Sequence, residues 1–222
     1  MDNKTVLVIA AHPDDEVLGA GGTIAKHSLA GDQVSVAIVS EGASVQFPDD
    51  PSKARLKSEQ AHRAANILGV ARVFEGGFPD QKLDQVPVLE VVQFIEGVIR
   101  QLHPQIVYTH HFAELNQDHR VCHEATLIAA RPFTVASLQR ILCFSVDTLS
   151  LPGKQGNHYG VYNDITATLE TKLEAMRVYD TEVRPYPHPR SLESLRLFAA
   201  RNGALVGLKA AEVFQSILEI RK

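Results

Sequence analysis

The sequence predicts an α/β fold from three observations. Apolar segments typical of buried strands alternate along the 222 residues with segments whose apolar residues recur at helical spacing. The length suits one domain with a substantial core and is short for two. The sequence contains no internal repeat, low-complexity tract or linker. We therefore expect residues 1–222 to form a single domain, a Rossmann-like three-layer sandwich with a mostly parallel sheet.

The predicted elements follow changes in composition along the chain. The run Val6 to Ala11 is rich in β-branched residues, as in a strand buried on both faces. Gly31 and Gly69 end the first two helices, and Pro87 stands in the first turn of the third, where proline is tolerated. The other predicted strands cover residues 33–40, 72–75, 105–109 and 140–146. The predicted helices cover residues 21–30, 53–68, 87–101, 121–131, 166–180, 191–202 and 208–220.

The composition argues against several classes of protein. A net charge of −4 is unfavourable for a sequence-independent nucleic-acid binder, which needs a basic face. No apolar run approaches the roughly 20 residues that span a bilayer, and we expect no signal peptide, because the first predicted strand begins close to Met1. Cys122 and Cys143 are too few for a disulfide scaffold and are expected to be reduced core thiols. We expect a cytoplasmic protein with no nucleic-acid partner and no membrane span.

The first chemically informative segment is His12-Pro13-Asp14-Asp15-Glu16, directly after the first predicted strand. A buried strand cannot continue through proline and three carboxylates, so we expect the chain to reach the surface there. Ligands of open α/β sheets bind at the carboxyl ends of the strands. One imidazole and two adjacent carboxylates at that edge suit a hydrolytic metal site. The alternative is a helix N-terminus, where acids favour the helix dipole, but this does not explain His12.

A second polar segment follows the predicted strand 105–109. Because parallel strands end at the same edge, this segment can meet the first one. His119 could complete a set of two histidines and one carboxylate with His12 and Asp15. Such a set leaves a coordination position open, which is typical of catalytic zinc.

Two other motif assignments fit less well. His119 and His123 have the spacing of a metalloprotease helix, but Arg120 stands where that motif requires glutamate, so His123 is expected to be a packed imidazole. A non-catalytic nucleotide-binding module is the alternative from another class, but the sequence Gly-x-Gly-x-x-Gly is absent. The glycines that superficially resemble it are Gly19, Gly21 and Gly22.

The segments Ala11–Glu16 (AHPDDE) and Asn116–His119 (NQDH) together resemble the PIG-L/LmbE family of zinc-dependent N-acetylglucosamine de-N-acetylases. The similarity extends over nearly the whole chain, and residues 77–84, 185–191 and 211–214 resemble a bacterial subgroup. The resemblance implies an α/β enzyme that removes the N-acetyl group of an amino sugar as acetate. It also implies one Zn²⁺ per chain, although Fe²⁺ or another divalent ion suits the same ligands. Family members are often homo-oligomers.

The resemblance also implies roles for individual residues. His12, Asp15 and His119 would hold the metal, and Asp14 would be the general base. Asp118 would orient an imidazole by accepting its second ring hydrogen. The alternative for Asp118 is the N-cap of the following helix. A related alternative activity keeps these residues and cleaves a thiol-conjugated pseudodisaccharide as an amidase.

The sequence departs from a common family pattern at Asn116, where many relatives carry a histidine. An amide can donate a hydrogen bond to a developing oxyanion but cannot supply a proton at neutral pH. The acid role would then fall to protonated Asp14 or to an imidazole, with His110, His111 and His188 as candidates. We favour His110 or His111, which end a strand at the same sheet edge. A structural role is the alternative for each.

Two groups of side chains are candidate sugar contacts. Arg55 or Lys57 stands near the position where relatives often carry an arginine, and the helical register leaves the choice open. Asp80 and Asp84 could accept hydrogen bonds from sugar hydroxyls. A turn-forming role is the alternative for both.

The proline-rich segment near residue 187 is a candidate anion site. Arg184, His188 and Arg190 lie among three prolines, and arginines on a stiff loop suit a phosphate or carboxylate. The substrate would then be nucleotide-linked, phosphorylated or another anionic glycan precursor. The alternative is a salt-bridged structural corner.

Overall fold

A computed structural model describes residues 3–146 and 160–221. Its strands are β1 (Thr5–Ala10), β2 (Gln33–Ser40), β3 (Arg72–Phe78), β4 (Ile106–His110), β5 (Arg140–Phe144), β6 (Val161–Asp164) and β7 (Ala211–Glu219). Its helices are α1 (Asp15–Leu29), α2 (Ser52–Leu68), α3 (Val88–Leu102), α4 (Gln117–Ala129), α5 (Leu169–Val178) and α6 (Leu192–Ala204). A short 3₁₀ helix covers Leu83–Gln85. None of the helices in these ranges has the length and apolar character that crossing a membrane needs.

The seven strands form one sheet in the order β3-β2-β1-β4-β5-β7-β6. The five strands from β3 to β5 pair in parallel, and β7 and β6 complete the sheet with antiparallel pairing. The predicted α/β fold with a mostly parallel sheet is confirmed. The carboxyl ends of β1, β2 and β4 are neighbours, so the loops that follow them emerge together.

The helices cover the sheet on both faces, which gives the predicted three layers. Alternate residues of β1 point to opposite faces because side chains in a strand have a period of two. Val6 and Val8 pack in the core under α1, α2 and α5, whereas Leu7 and Ile9 pack in the core under α3 and α4. All four side chains are fully buried, as predicted for a strand covered on both sides.

Helix α1 begins six residues earlier than predicted, so the three glycines lie inside it. A Cβ atom at Gly19 would lie 2.1 Å from the Phe144 ring, and one at Gly22 would lie 2.8 Å from Ile165. Gly19 thus lets α1 approach β5 closely, and Gly22 lets it approach the segment that follows β6. The end of α2 at Gly69 is as predicted, with φ 73° in the left-handed region that glycine favours.

The predicted helix over residues 208–220 is wrong, because this segment forms strand β7. Its apolar residues Val213, Phe214, Ile217 and Leu218 recur at helical spacing. In β7 the adjacent Val213 and Phe214 point to opposite faces and are half-buried and buried, so its apolar residues do not alternate strictly and the spacing does not distinguish the two structures. Strand β6, which pairs with β7, was not predicted.

Candidate active site

The segment between β1 and α1 carries the first predicted motif and is buried. His12 is 8% exposed, and Asp14, Asp15 and Glu16 are each 3% exposed or less. We expected this segment to reach the surface, and that was wrong because its acids have polar partners inside the fold. Asp15 accepts the backbone N–H of His12 at 2.9 Å, and Glu16 accepts the Tyr179 hydroxyl at 2.5 Å. Asp15 and Glu16 also form the first turn of α1, where negative charge is favourable.

His12, Asp15 and His119 bring three metal-ligand atoms together. The Oδ2 atom of Asp15 lies 3.1 Å from Nδ1 of His12 and 3.2 Å from Nε2 of His119. The two imidazole nitrogens are 3.3 Å apart. In a tetrahedral zinc site with bonds of about 2.0–2.1 Å, neighbouring donor atoms are about 3.3–3.4 Å apart. The donor atoms and their spacing therefore fit one divalent ion the size of zinc.

A carboxylate stands behind each of these two imidazoles. His12 Nε2 is 3.1 Å from Asp118 Oδ2, and the other Asp118 oxygen accepts the backbone N–H of Leu83 at 3.0 Å. His119 Nδ1 is 3.5 Å from Glu114 Oε2. Carboxylates in such positions fix the tautomer and orientation of a metal-binding imidazole. Glu114 was not predicted, because a single acid in a polar loop matches no metal-binding motif.

Asn116 connects the start of α4 to the loop after β3. Its Oδ1 atom accepts the backbone N–H of Asp118 at 2.9 Å, so the helix is capped by Asn116 and not by Asp118. Its amide nitrogen donates to Oε1 of Gln81 at 3.1 Å. Gln81, which was not predicted, also approaches His12 Nε2 at 3.1 Å.

The imidazoles of His12 and His119 border a cavity of about 380 Å³. Acidic, basic and amide side chains from five separate loops, from α2 and from the first turn of α4 form its wall. The described residues that line it are His12, Pro13, Asp14, Gly42, Val45, Gln46, Lys57, Asp80, Gln81, Asn116, His119, Glu182 and Arg190.

Asp14 occupies a strained position on this wall. Its φ of 115° is one that non-glycine residues rarely adopt, and its N–H donates to Oε2 of Glu16 at 3.0 Å. Burial raises the pKa of the Asp14 carboxyl to about 8, although the charge of Arg190, 3.2 Å away, acts in the opposite direction. A divalent ion bound at the neighbouring donor atoms would lower this pKa.

A match to a known family covers residues 7–130, more than half of the chain, and the family is that of the GlcNAc-PI de-N-acetylases, PIG-L. The chain belongs to the PIG-L family. It is 29% identical over 230 residues to the diacetylchitobiose deacetylase of Thermococcus kodakarensis, with 95% of the PIG-L chain and 82% of that relative covered.

Solved structures share the fold of this PIG-L chain. The N,N'-diacetylchitobiose deacetylase of Pyrococcus horikoshii has a TM-score of 0.78 and 24% identity, with 98% of this chain and 85% of that chain covered. GalB, the 4-carboxy-2-hydroxymuconate hydratase of Pseudomonas putida KT2440, has a TM-score of 0.79 and 21% identity, with 99% and 98% covered. Because the fold accommodates both a deacetylase and a hydratase, the chemistry has to be argued from the site.

The three histidines considered as general acids lie outside the cavity of the PIG-L chain, which corrects that expectation. His110 is fully buried, stacks on His119 and accepts the backbone N–H of Ala11 at 2.9 Å. Burial, followed by the charge of His119, holds its pKa well below the usual value. His111 accepts the N–H of Ala113 at 3.1 Å and contacts Gln215. His188 is exposed, and its ring accepts the N–H of Arg190 at 3.0 Å.

Arg55 also lies outside the cavity. Its side chain is 84% exposed and pairs with Glu59 at 2.9 Å on the solvent face of α2. Lys57, two residues later, is about 200° further around the helix and therefore faces inward. It is 2% exposed, lines the cavity and contacts Glu182.

The structure separates the remaining candidates for substrate contacts. Asp80 lines the cavity, 3.6 Å from His12 Nε2, and burial raises the pKa of its carboxyl. Asp84 is exposed in the 3₁₀ helix. Arg184 is exposed and donates to backbone carbonyls of its own loop, whereas Arg190 lines the cavity. Of the two arginines predicted to bind an anion, only Arg190 lines the cavity.

Proposed function

We propose that this PIG-L chain hydrolyses the N-acetyl group of an amino sugar and releases acetate and the free amine. The observation that carries the proposal is the position of Asp14 on the wall of the cavity that His12 and His119 border. Amide hydrolysis requires an activated water, a polarised carbonyl and a proton for the leaving nitrogen. The similarity to a relative named diacetylchitobiose deacetylase supports an acetylated amino sugar as the substrate.

The proposed metal ligands are His12, Asp15 and His119. A divalent ion held there supplies Lewis acidity, which polarises an amide carbonyl and makes water more acidic. Zinc suits two imidazoles and one carboxylate, and Fe²⁺ suits them as well. Asp118 would orient His12 by accepting its outward ring hydrogen, and the Glu114 carboxylate, 3.5 Å from His119 Nδ1, would orient His119 through its charge.

Asp14 is the proposed general base, and it takes the proton of the attacking water at its carboxylate. Arg190, at 3.2 Å, favours the charged form that can accept this proton. Because the candidate imidazoles lie outside the cavity, the protonated Asp14 is also the proposed acid for the leaving nitrogen. One carboxyl then takes a proton in the first step and returns it in the second.

Asn116 is the proposed hydrogen-bond donor for the developing oxyanion. The N-cap contact fixes its Oδ1 atom on the backbone of α4, so the amide nitrogen faces the cavity side. In other enzymes the loss of one such donor reduces turnover by about 10² to 10³. Asp80 and Gln81 offer hydrogen-bonding groups to sugar hydroxyls on the same wall.

The test is acetate release from N-acetylglucosamine and N,N'-diacetylchitobiose by zinc-loaded protein, with the free amine measured in parallel. We expect equal amounts of both products and one metal ion per chain by elemental analysis. Asp14→Asn should retain the ion and the fold, but its turnover should fall at least about 100-fold. The control Asp49→Asn, at an exposed residue, should have the turnover of wild type. Wild-type turnover in Asp14→Asn would remove Asp14 from the proposed role.

The same assay separates other activities of this site. A thiol-conjugated pseudodisaccharide in the substrate panel tests the amidase alternative through the acid that is released. Undiminished acetate release after removal of the metal by a chelator would contradict metal dependence. No release from any acetylated amino sugar would exclude the proposed function.

A further inference from the structure

The cavity holds two cationic side chains among its described residues, Lys57 and Arg190. One carboxylate contacts both of them. Glu182 Oε1 contacts the Lys57 ammonium, and Glu182 Oε2 contacts the Arg190 guanidinium. Arg190 is also 3.2 Å from Asp14.

These pairs are built into the fold. The side chains of Lys57 and Glu182 are 3% and 8% exposed, and that of Arg190 is 20% exposed. Glu182 is held at its position by its own backbone, which donates to the carbonyl of Tyr179 at 2.9 Å. A buried side chain keeps its charge only when an oppositely charged or hydrogen-bonding partner compensates for the lost hydration.

The charge of the described wall is unfavourable for an anionic substrate group. The two cations are outnumbered by the carboxylates Asp14, Asp80 and Glu182. Asp15 and Asp118 do not line the cavity, and their two negative charges would balance one divalent ion held by His12, Asp15 and His119. A phosphate or carboxylate entering the cavity would have to displace Glu182 and leave that carboxylate buried without a partner.

We propose that the cavity is specific for a neutral N-acetylated sugar and that Glu182 sets this preference by occupying both cations. The inference rests on the proposed deacetylase function and replaces the expectation of a phosphorylated or nucleotide-linked substrate. Neutral hydroxyls need only hydrogen-bonding partners, and Gln46, Gln81 and the carboxylate of Asp80 offer these on the wall.

The experiment compares kcat/KM of the zinc-loaded enzyme for N-acetylglucosamine and for N-acetylglucosamine 6-phosphate. Wild type should prefer the neutral sugar at least about tenfold. Glu182→Gln frees the cations and should shift this ratio towards the phosphate by about tenfold or more. Glu193→Gln, the same change at an exposed position of α6, should leave the ratio unchanged.

Preference of wild type for the phosphorylated sugar would overturn the inference, and so would an unchanged ratio in Glu182→Gln. If Glu182→Gln does not fold, the wild-type comparison alone decides. If neither sugar releases acetate, the proposed function fails, and the dissociation constants of the two sugars by calorimetry still test the inference. Tighter binding of the neutral sugar would then support it, and tighter binding of the 6-phosphate would end it.

Discussion

Tyr179 donates a hydrogen bond of 2.5 Å to Oε1 of Glu16, and the other oxygen of that carboxylate accepts the backbone N–H of Asp14 at 3.0 Å. Tyr179 and Glu16 are 0% and 3% exposed. The backbone of Asp14, with φ 115°, carries strain of about 1–3 kcal/mol. The residue that follows α5 thus supports the conformation of the proposed base through a single buried carboxylate.

Tyr179→Phe should lower both stability and turnover. The change leaves Glu16 Oε1 buried without its donor, which should destabilise the fold by about 1.5–3 kcal/mol. Because Glu16 then holds the N–H of Asp14 less firmly, kcat for an N-acetyl sugar should fall about tenfold. Metal content and KM should remain as in wild type. Tyr186→Phe, at a residue 54% exposed, is the matched control, and an unchanged kcat in Tyr179→Phe would refute the positioning role.

Asn116 combines a structural role and a proposed chemical role that two substitutions can separate. Asn116→Ser keeps an N-cap oxygen but removes the amide donor, so the melting temperature should be retained while kcat falls about 10²-fold. Asn116→Ala should lose the same turnover and also about 1 kcal/mol of stability. Thermal unfolding and acetate release measure the two effects. Normal turnover in Asn116→Ser would show that the amide does not act on the substrate.

The convergence of the two motifs could be predicted from the sequence because it follows from topology. His12 follows β1 and His119 lies beyond β4, and neighbouring parallel strands end at one edge of the sheet. The contact between Lys57 and Glu182 could not be predicted in this way. It depends on the rotation of α2 and on where the chain passes after α5, and neither leaves a local pattern.

The role of Gly19 likewise depends on a contact that has no local sequence pattern. Gly19 superficially resembles part of a dinucleotide-binding loop, which the sequence argued against, and in the structure it packs α1 against Phe144. This role depends on a residue of β5, far away in the sequence. Strand β7 was missed because its apolar residues do not alternate with polar ones, so the sequence shows no period of two.

The same substitution at two helical glycines should therefore have opposite effects. Gly19→Ala places a Cβ atom 2.1 Å from the Phe144 ring and should destabilise the fold by about 1–3 kcal/mol or more. A Cβ atom at Gly97, in α3, would meet no described atom within 4 Å beyond the adjacent backbone of its own helix, so Gly97→Ala should stabilise the fold by about 0.5–1 kcal/mol. Urea unfolding measures both. Equal midpoints for the two variants would contradict the close packing of α1.

Removing the charge of Glu114 should weaken metal binding, although Glu114 is not itself a proposed metal ligand. Its Oε1 atom accepts the backbone N–H of Val146 at 2.8 Å, which leaves Oε2 directed at His119 Nδ1. Glu114→Gln can retain the first contact but places an amide hydrogen against the ring hydrogen of His119. Zinc affinity, measured by competition with a chelator, should fall about 10- to 100-fold. Glu124→Gln, exposed on the same helix as His119, should bind zinc as wild type does, and equal affinities for both variants would mean that Glu114 does not support the imidazole.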